Sequence, residues 1–408
     1  MAARGGNAII GQSGGPTAVI NQSLVGVVEA LVRVPEVGRI LGARHGVKGI
    51  LGEDFIDLRL EAADVLERVA ATPSSALGSV RKKPTPEECR RMFDVMQKHD
   101  VRYFFYIGGN DSAETTHIVN EEARSAGYEL RCFHVPKTVD NDLRVNDHTP
   151  GYGSAARFVA CALMGDNLDN RALPGVKIDV IMGRNAGFLT AASALGRRYP
   201  DDGPHLIYLP ERPVTRDRIC SDVRDVYNRL GRCVVAVSEG IIDADDPAGR
   251  TFTEVILSEA GPIEQDTHGN VQLSGSGALG DWLANLVKKN VGEKLLRVRA
   301  DTFGYLQRSF PGVVSPVDAA EARECGRKAV EFAVGGSWLD GSVAMIREPG
   351  EEYRIRYERT ELRNVAKETR SLPDDFITLE GNNVTVEFVR YALPLVGELP
   401  ENCRLAGW

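Results

Sequence analysis

Cysteine is sparse in this chain and never paired. The seven residues at positions 89, 132, 161, 220, 233, 325 and 403 form no C-x-x-C unit. That spacing excludes a zinc ribbon and offers no disulfide framework, so a reducing, cytoplasmic setting is expected. The seven histidines show no H-E-x-x-H and no other paired spacing, which removes the common zinc-hydrolase signature. No apolar run approaches the roughly 18 residues that would suggest a membrane span. The N-terminus lacks a signal-peptide pattern, so no membrane association is expected. An excess of positive charge is missing as well. Lys and Arg number 49 against 57 Asp and Glu, a formal net charge of -8. A general polyanion-binding surface is thereby disfavoured and no nucleic-acid partner is expected. Any phosphate site must be local, built from a few cations and backbone N–H groups.

Glycine, by contrast, is plentiful: 42 residues, many of them clustered where apolar runs stop. Asn7-Ala8-Ile9-Ile10 reads as a strand and leads into Gly11-Gln12-Ser13-Gly14-Gly15-Pro16-Thr17, ahead of a helical run from Ala18 to Val32. Strand, glycine turn and helix start together make an anion site, because the glycines admit phosphate to the backbone and the helix dipole favours it. The turn is neither a Walker A loop nor G-x-G-x-x-G. It does match G-x-S-x-G with Ser13 as nucleophile. A hydrolase elbow follows several earlier strands, however, and only about ten residues precede this one, so phosphate binding is the better reading of its pattern. Arg39 to Arg44 reads as a second strand. Leu77 to Pro84 then sets Arg81, Lys82 and Lys83 beside a glycine turn, before a helix starting near Thr85.

The aromatic run Val101 to Ile107 stops at Gly108-Gly109-Asn110-Asp111-Ser112, followed by a helix from about Ala113. The run Arg131 to Val135 stops at Pro136-Lys137-Thr138-Val139-Asp140-Asn141-Asp142. Three glycine- or Asp-rich strand ends separated by helices predict a parallel, doubly wound α/β sheet with one crevice. Ligands in such sheets bind at the carboxyl edge. After Gly151-Tyr152-Gly153-Ser154 a helix is expected to run to about Leu168, and the pattern then resumes. Strands at Val176 to Ile181, His205 to Leu209, Cys233 to Val237 and Arg299 to Leu306 carry Arg184, Glu239 and Arg308 at or just beyond their ends. Residues 315–334 read as a helix, and the tail after about 340 reads as strands and coil.

Seven ordered blocks resemble the phosphofructokinase family over Asn7 to about Asp318. They are Gly11 to Asn21, Gly78 to Arg81, Gly108 to Ser112, Pro136 to Asp142, Met182 to Gly187, Ser238 to Gly240, and Gly304 to Arg308. The resemblance implies two Rossmann-like α/β domains with the active site in the cleft between them. Residues 1–149 with about 309–408 would bind the phosphoryl donor and Mg2+, and residues 150–308 the sugar phosphate. It further implies Asp140 as the base toward the 1-hydroxyl of fructose 6-phosphate, with Asp142 assisting it. Thr138 would orient the transferred group, Gly14 and Gly15 would supply backbone donors, and Arg81 would bridge the two phosphates. Met182, Gly183, Arg184 and Glu239 would hold the sugar, and Arg299, Tyr305 and Arg308 its 6-phosphate. A site shared between subunits would make the protein a homodimer or homotetramer.

ATP-using members of that family typically carry Gly-Gly-Asp-Gly and Pro-Gly-Thr-(Ile/Val)-Asp-Asn-Asp. Here Asp111 stands at the last glycine of the first motif and Lys137 at the glycine of the second. Both changes resemble the pyrophosphate-dependent branch. A carboxylate about 5 Å from an α-phosphate charge costs on the order of 3 kcal/mol at an effective dielectric near 20, roughly a hundredfold discrimination. Lys137 adds a point charge for the leaving phosphate. Asn110 occupies the usual position of the magnesium-binding Asp, so Asp111 is the expected metal ligand. Lys177 lies where an Arg from a neighbouring subunit is usual. The expected reaction is therefore Mg-dependent, reversible phosphoryl transfer from pyrophosphate to fructose 6-phosphate. ATP as donor, sedoheptulose 7-phosphate as acceptor, and a non-catalytic regulatory subunit are the alternatives.

Overall fold

The computed structural model describes residues 5–260, 277–291, 297–336 and 338–406. Among these, eleven strands run in chain order as β1 (Gly6–Gln12), β2 (Val37–Ala43), β3 (Phe55–Asp57), β4 (Val101–Gly108), β5 (Arg131–Pro136), β6 (Val176–Ile181), β7 (Leu206–Tyr208), β8 (Cys233–Ser238), β9 (Val298–Thr302), β10 (Asp340–Arg347) and β11 (Ile355–Thr360). The chain falls into two compact units. One is Met1–Ser154 with Arg308–Arg370, the other Ala155–Gln307 with Ser371–Trp408.

The first unit holds a seven-stranded sheet in the order β11-β10-β5-β4-β1-β2-β3. Its central strands are parallel, and β3 and β11 pair antiparallel at the edges. Strand β4, Val-Arg-Tyr-Phe-Phe-Tyr-Ile-Gly, is apolar almost throughout because helices cover both faces of a parallel sheet. Tyr103, Phe105 and Ile107 pack on one face with helices Ile20–Val32 and Pro316–Gly335. Phe104 and Tyr106 pack on the other with helices Pro86–Lys98 and Asn110–Ser125. Helix Pro86–Lys98 starts where expected, because Thr85 and Glu88 form a reciprocal capping box.

The second unit holds a four-stranded parallel sheet in the order β7-β8-β6-β9. Val176, Ile178, Val180, Val235 and Val237 form one face of it, packed by helices Arg216–Leu230 and Ala278–Asn290. The strand expected over Arg299 to Leu306 ends at Thr302, since Gly304, with φ +53°, turns the chain into the short helix Leu306–Arg308.

The tail departs from expectation in two respects. Residues 340–370 extend the first unit's sheet, but 371–408 belong with the second unit rather than the first. Asn382 is the link: its carbonyl accepts from Ile207 N at 2.8 Å and its amide donates to Asp222 at 2.8 Å. The tail also contains a helix, Val386–Val396, where strands and coil were expected. Phe388, Ala392, Leu395 and Val396 bury its apolar stripe, and the interior Pro394 hides that periodicity from a reading of sequence alone.

Helices Ile20–Val32 and Pro316–Gly335 cross in backbone contact. A Cβ at Gly26 would stand 2.1 Å from the Arg323 carbonyl oxygen, and one at Gly326 2.3 Å from that of Ser23. Gly26→Val is therefore expected to cost about 3 kcal/mol or more, because neither backbone can give way. At Gly165, also helical, an added Cβ would meet nothing within 4 Å, so Gly165→Ala should be neutral or stabilising by up to about 1 kcal/mol. Urea unfolding of both variants checks the contrast.

Candidate active site

In the first unit β1, β4 and β5 are adjacent and parallel, so their carboxyl ends deliver three loops to one place. Ser13 N donates to the Ile107 carbonyl at 2.9 Å and Lys137 N to that of Gly108 at 3.0 Å, which stitches the loop starts together. The first loop turns at Gly14, whose φ of +76° favours glycine. The segment around residues 78–81 lies on it: Ser79 Oγ donates to Gly14 O at 2.6 Å, and Gly14 N donates to Val80 O at 3.2 Å.

Lys137 is 3% exposed, and its ammonium donates to the Gly15 carbonyl at 2.8 Å. Burial, then the charge of Arg308 and to a lesser degree Arg81, pushes its pKa down to about 7, with Asp140 and Asp142 pulling the other way. A Cβ on Gly15 would lie 3.3 Å from the guanidinium carbon of Arg308. Gly14, Gly15, Lys137, Asp140, Asp142, Arg81 and Arg308 thus form one electrostatic group. Arg308, expected with the sugar's 6-phosphate, belongs to the first unit and lies against its glycine turn.

The loop after β5 is organised by its own side chains. Thr138 Oγ1 accepts from Asp140 N at 3.2 Å and reaches the Asp140 carboxylate at 3.4 Å. Asn141 takes a left-handed φ of +58°, which turns the chain between the two aspartates. Burial, then the neighbouring Asp140, pushes the Asp142 carboxyl up to about 7. The charged form of Asp142 is therefore disfavoured in the isolated protein and would be favoured by a cation brought close to it.

Asp111 lies in the first turn of helix Asn110–Ser125, with its side chain half exposed. Lys83 Nζ is 3.7 Å from its carboxylate and 2.6 Å from that of Glu114. Lys82 pairs with Glu88. The basic cluster after Gly78 is therefore divided. Lys82 and Lys83 neutralise local carboxylates, and Arg81 adds its field to Lys137. The role of Lys83 beside Asp111 was not anticipated, and only its place in a run of three cations hinted at it.

In the second unit the ends of β6 and β8 bring Met182, Gly183 and Glu239 together. Gly183 N donates to the Glu239 carboxylate at 3.4 Å, Glu239 N to Ile181 O at 2.9 Å, and Ser238 Oγ to Gly183 O at 2.5 Å. Met182 N approaches Gln307 Oε1 at 3.4 Å, a residue that sequence reasoning passed over. Arg184 continues the same turn, its carbonyl packed against Gly240. Tyr305 is 44% exposed. Arg299 stands apart: it is the second residue of β9, three residues before that strand's end, and its guanidinium donates to Val298 O at 3.0 Å. Lys177 is held by carboxylates, 3.5 Å from Asp166 and from Asp179 and closer still to Asp301. Among the described residues those three aspartates are the group whose carboxylates come within ligand distance of one another, and the Lys177 ammonium already lies among them.

The phosphofructokinase family model matches residues 7–333 of the sequence. The chain belongs to the phosphofructokinase family. Its similarity to pyrophosphate--fructose 6-phosphate 1-phosphotransferase of Rhodospirillum rubrum is 56% identity, covering 98% of this chain and 96% of that protein. The enzyme of the same name from Xanthomonas campestris is 38% identical, over 97% of this chain and 93% of that one. Among solved structures, the pyrophosphate-dependent phosphofructokinase of Marinobacter aquaeolei matches with a TM-score of 0.82 and 32% identity, covering 98% of this chain and 94% of that chain. The two α/β units are those of a phosphofructokinase.

For this phosphofructokinase the Lys137 ammonium makes a prediction with a definite sign. Its folded pKa, about 7, lies below the unfolded value, so the unfolded chain holds more protons between about pH 7 and 10.5. The contribution of Lys137 to stability therefore rises with pH through that window and is lowest below pH 7. Lys137→Met should stabilise the protein more at pH 6.5 than at pH 9.5. Urea midpoints of both forms across that range measure the difference, and a constant gap would contradict the buried, depressed ammonium.

Proposed function

We propose that this chain transfers a phosphoryl group from pyrophosphate to the 1-hydroxyl of fructose 6-phosphate, giving fructose 1,6-bisphosphate and phosphate. The observation that carries the reading is the buried Lys137 ammonium, hydrogen-bonded to the glycine turn beside Arg81, Arg308, Asp140 and Asp142. Near-complete similarity to relatives bearing the name of that activity supports it. A phosphate bound over Gly14 and Gly15 would draw Lys137 back to its charged form, since an adjacent anion offsets the burial penalty.

In this reading the sugar O1 attacks the terminal phosphorus, the bridging P–O bond breaks, and the O1 proton passes to Asp140. Asp140 is a weak base toward an alcohol, but a loose phosphoryl transition state depends chiefly on positioning and on neutralising charge. Lys137 stabilises the leaving phosphate, Arg81 and Arg308 bind both ends of the transferring group, and Thr138 orients it. Asp142 assists Asp140 in positioning the acceptor. Met182, Gly183, Arg184, Glu239 and Tyr305 hold the sugar.

The donor set fits Mg2+, because Asp111 offers a half-exposed carboxylate at the end of β4, beside the strand that leads to Asp140 and Asp142, and magnesium commonly pairs one or two carboxylates with substrate phosphates. When bound, the ion supplies charge neutralisation across the pyrophosphate oxygens. The transfer is close to reversible, since it exchanges an anhydride for an ester of modest energy difference. A cytoplasmic homodimer or homotetramer belongs to the same proposal.

A coupled assay of the purified protein with each donor tests the proposal, and strong turnover with ATP but none with pyrophosphate would overturn it. Asp140→Ala should lower kcat by about two to four orders of magnitude while sugar-phosphate binding, followed by calorimetry, is retained. Asp111→Gly should relax the exclusion of ATP. Because Lys83 already offsets part of the Asp111 charge, the gain in ATP affinity is expected near tenfold rather than the roughly hundredfold of an uncompensated carboxylate.

A further inference from the structure

The loop that carries Asp140 and Asp142 is gripped by a segment that lies beyond residue 333, where the family match ends. Arg370 Nε donates to the Asn141 carbonyl at 2.9 Å. One terminal nitrogen of the same guanidinium donates to Asn141 Oδ1 at 3.0 Å and to the Asp147 carbonyl at 2.6 Å. The Arg370 backbone N–H donates to the Asp142 carbonyl at 2.8 Å. Leu143 and Thr369 form an antiparallel bridge, and Arg144 pairs with Glu368. Beneath them Leu143 packs with Ala113, Val365 and Ala366.

These contacts converge on the residue that most needs support. Asn141 is left-handed, a conformation costly for a residue with a Cβ, and it lies directly between the two carboxylates. A planar fork that binds both its backbone and side-chain oxygens fixes the angle at which Asp140 and Asp142 leave the chain. Lysine, a point charge on a flexible stem, cannot satisfy three separated acceptors at once.

We infer that Arg370 is a positioning residue for phosphoryl transfer, holding Asn141 so that Asp140 and Asp142 present a fixed geometry to the acceptor hydroxyl. The inference rests on Asp140 acting as the base. Asp140, Lys137 and Arg370 itself are the charged groups that bear most strongly on Asp142. Burial and Asp140 raise its pKa, while the Arg370 charge lowers it. Loss of that charge should therefore move the acid limb of the kcat–pH profile to higher pH.

The experiment compares Arg370→Met, Arg370→Lys and Asp140→Ala, with pyrophosphate as donor, in kcat, KM for fructose 6-phosphate, pH profile and thermal midpoint. Arg370→Met should lose about ten- to hundredfold in kcat with KM within about threefold, shift the acid limb upward, and regain activity with added guanidinium. Arg370→Lys should lose kcat yet keep the acid limb in place, and it remains informative if the Met variant fails to fold. Unchanged kcat and unchanged pH profile in both Arg370 variants, with Asp140→Ala inactive, would overturn the positioning role alone. So would a loss of activity that merely follows the thermal midpoint. An active Asp140→Ala would instead overturn the assignment of the base on which the inference rests.

Discussion

The hydrogen bond from the Lys137 ammonium to the Gly15 carbonyl joins the loop after β5 to the loop after β1. It is a costly bond, because it holds a charged group at 3% exposure. The protein lowers that cost only in part. Asp140 and Asp142 favour the charged form, and Arg308 and Arg81 oppose it. Without a ligand the cluster therefore has cations that repel one another and carboxylates that repel one another, within a few residues. A bound pyrophosphate would relieve the first repulsion, and a cation bound with it, as proposed above, the second. Unfavourable electrostatics in the isolated protein is thus preorganisation for charge that arrives with substrate.

The same logic applies on the far side of the glycine pair after β4. Asp111 opens helix Asn110–Ser125, where a negative side chain is favoured by the helix dipole. It is also 3.7 Å from Lys83, which Glu114 holds at 2.6 Å. A carboxylate so placed repels an incoming phosphate less than an isolated one would. In the proposed discrimination between donors, steric occupation of the position left open by glycine would then count for more than charge.

How much of this was visible in the sequence follows from the range of the interactions involved. Strand β4 could be read because a parallel strand covered on both faces is apolar almost throughout, and the helix after Thr85 because its cap is local. The glycine turns and the Asp140/Asp142 loop were visible for the same reason, since each places unusual residues at a strand end. The helix Val386–Val396 was not, because Pro394 breaks the pattern near its end. Nor could the assignment of 371–408 to the second unit be foreseen, because Asn382 meets Ile207 and Asp222 across more than 150 residues of chain. The strand beginning near Arg299 was read too long at its carboxyl end, because the turn at Gly304 stops it at Thr302.

Arg370 lies furthest from what sequence order reveals, 229 residues from the asparagine it holds. Within the loop Thr138 fixes Asp140, and the left-handed turn at Asn141 that follows is gripped from outside by Arg370. Rigidity has to come from a neighbouring element. The segment 362–370 supplies it with backbone pairing at Thr369, an ion pair at Glu368 and an apolar footing at Val365 and Ala366. The next residues of the loop are anchored separately. His148 bridges Asp147 and Glu321 at 2.9 and 2.7 Å, and although burial opposes it, those two carboxylates hold its pKa up at about 9. An imidazolium below and a guanidinium above thus clamp residues 141–148. Asp140 and Asp142, on either side of Asn141, leave the chain at angles that this anchoring sets.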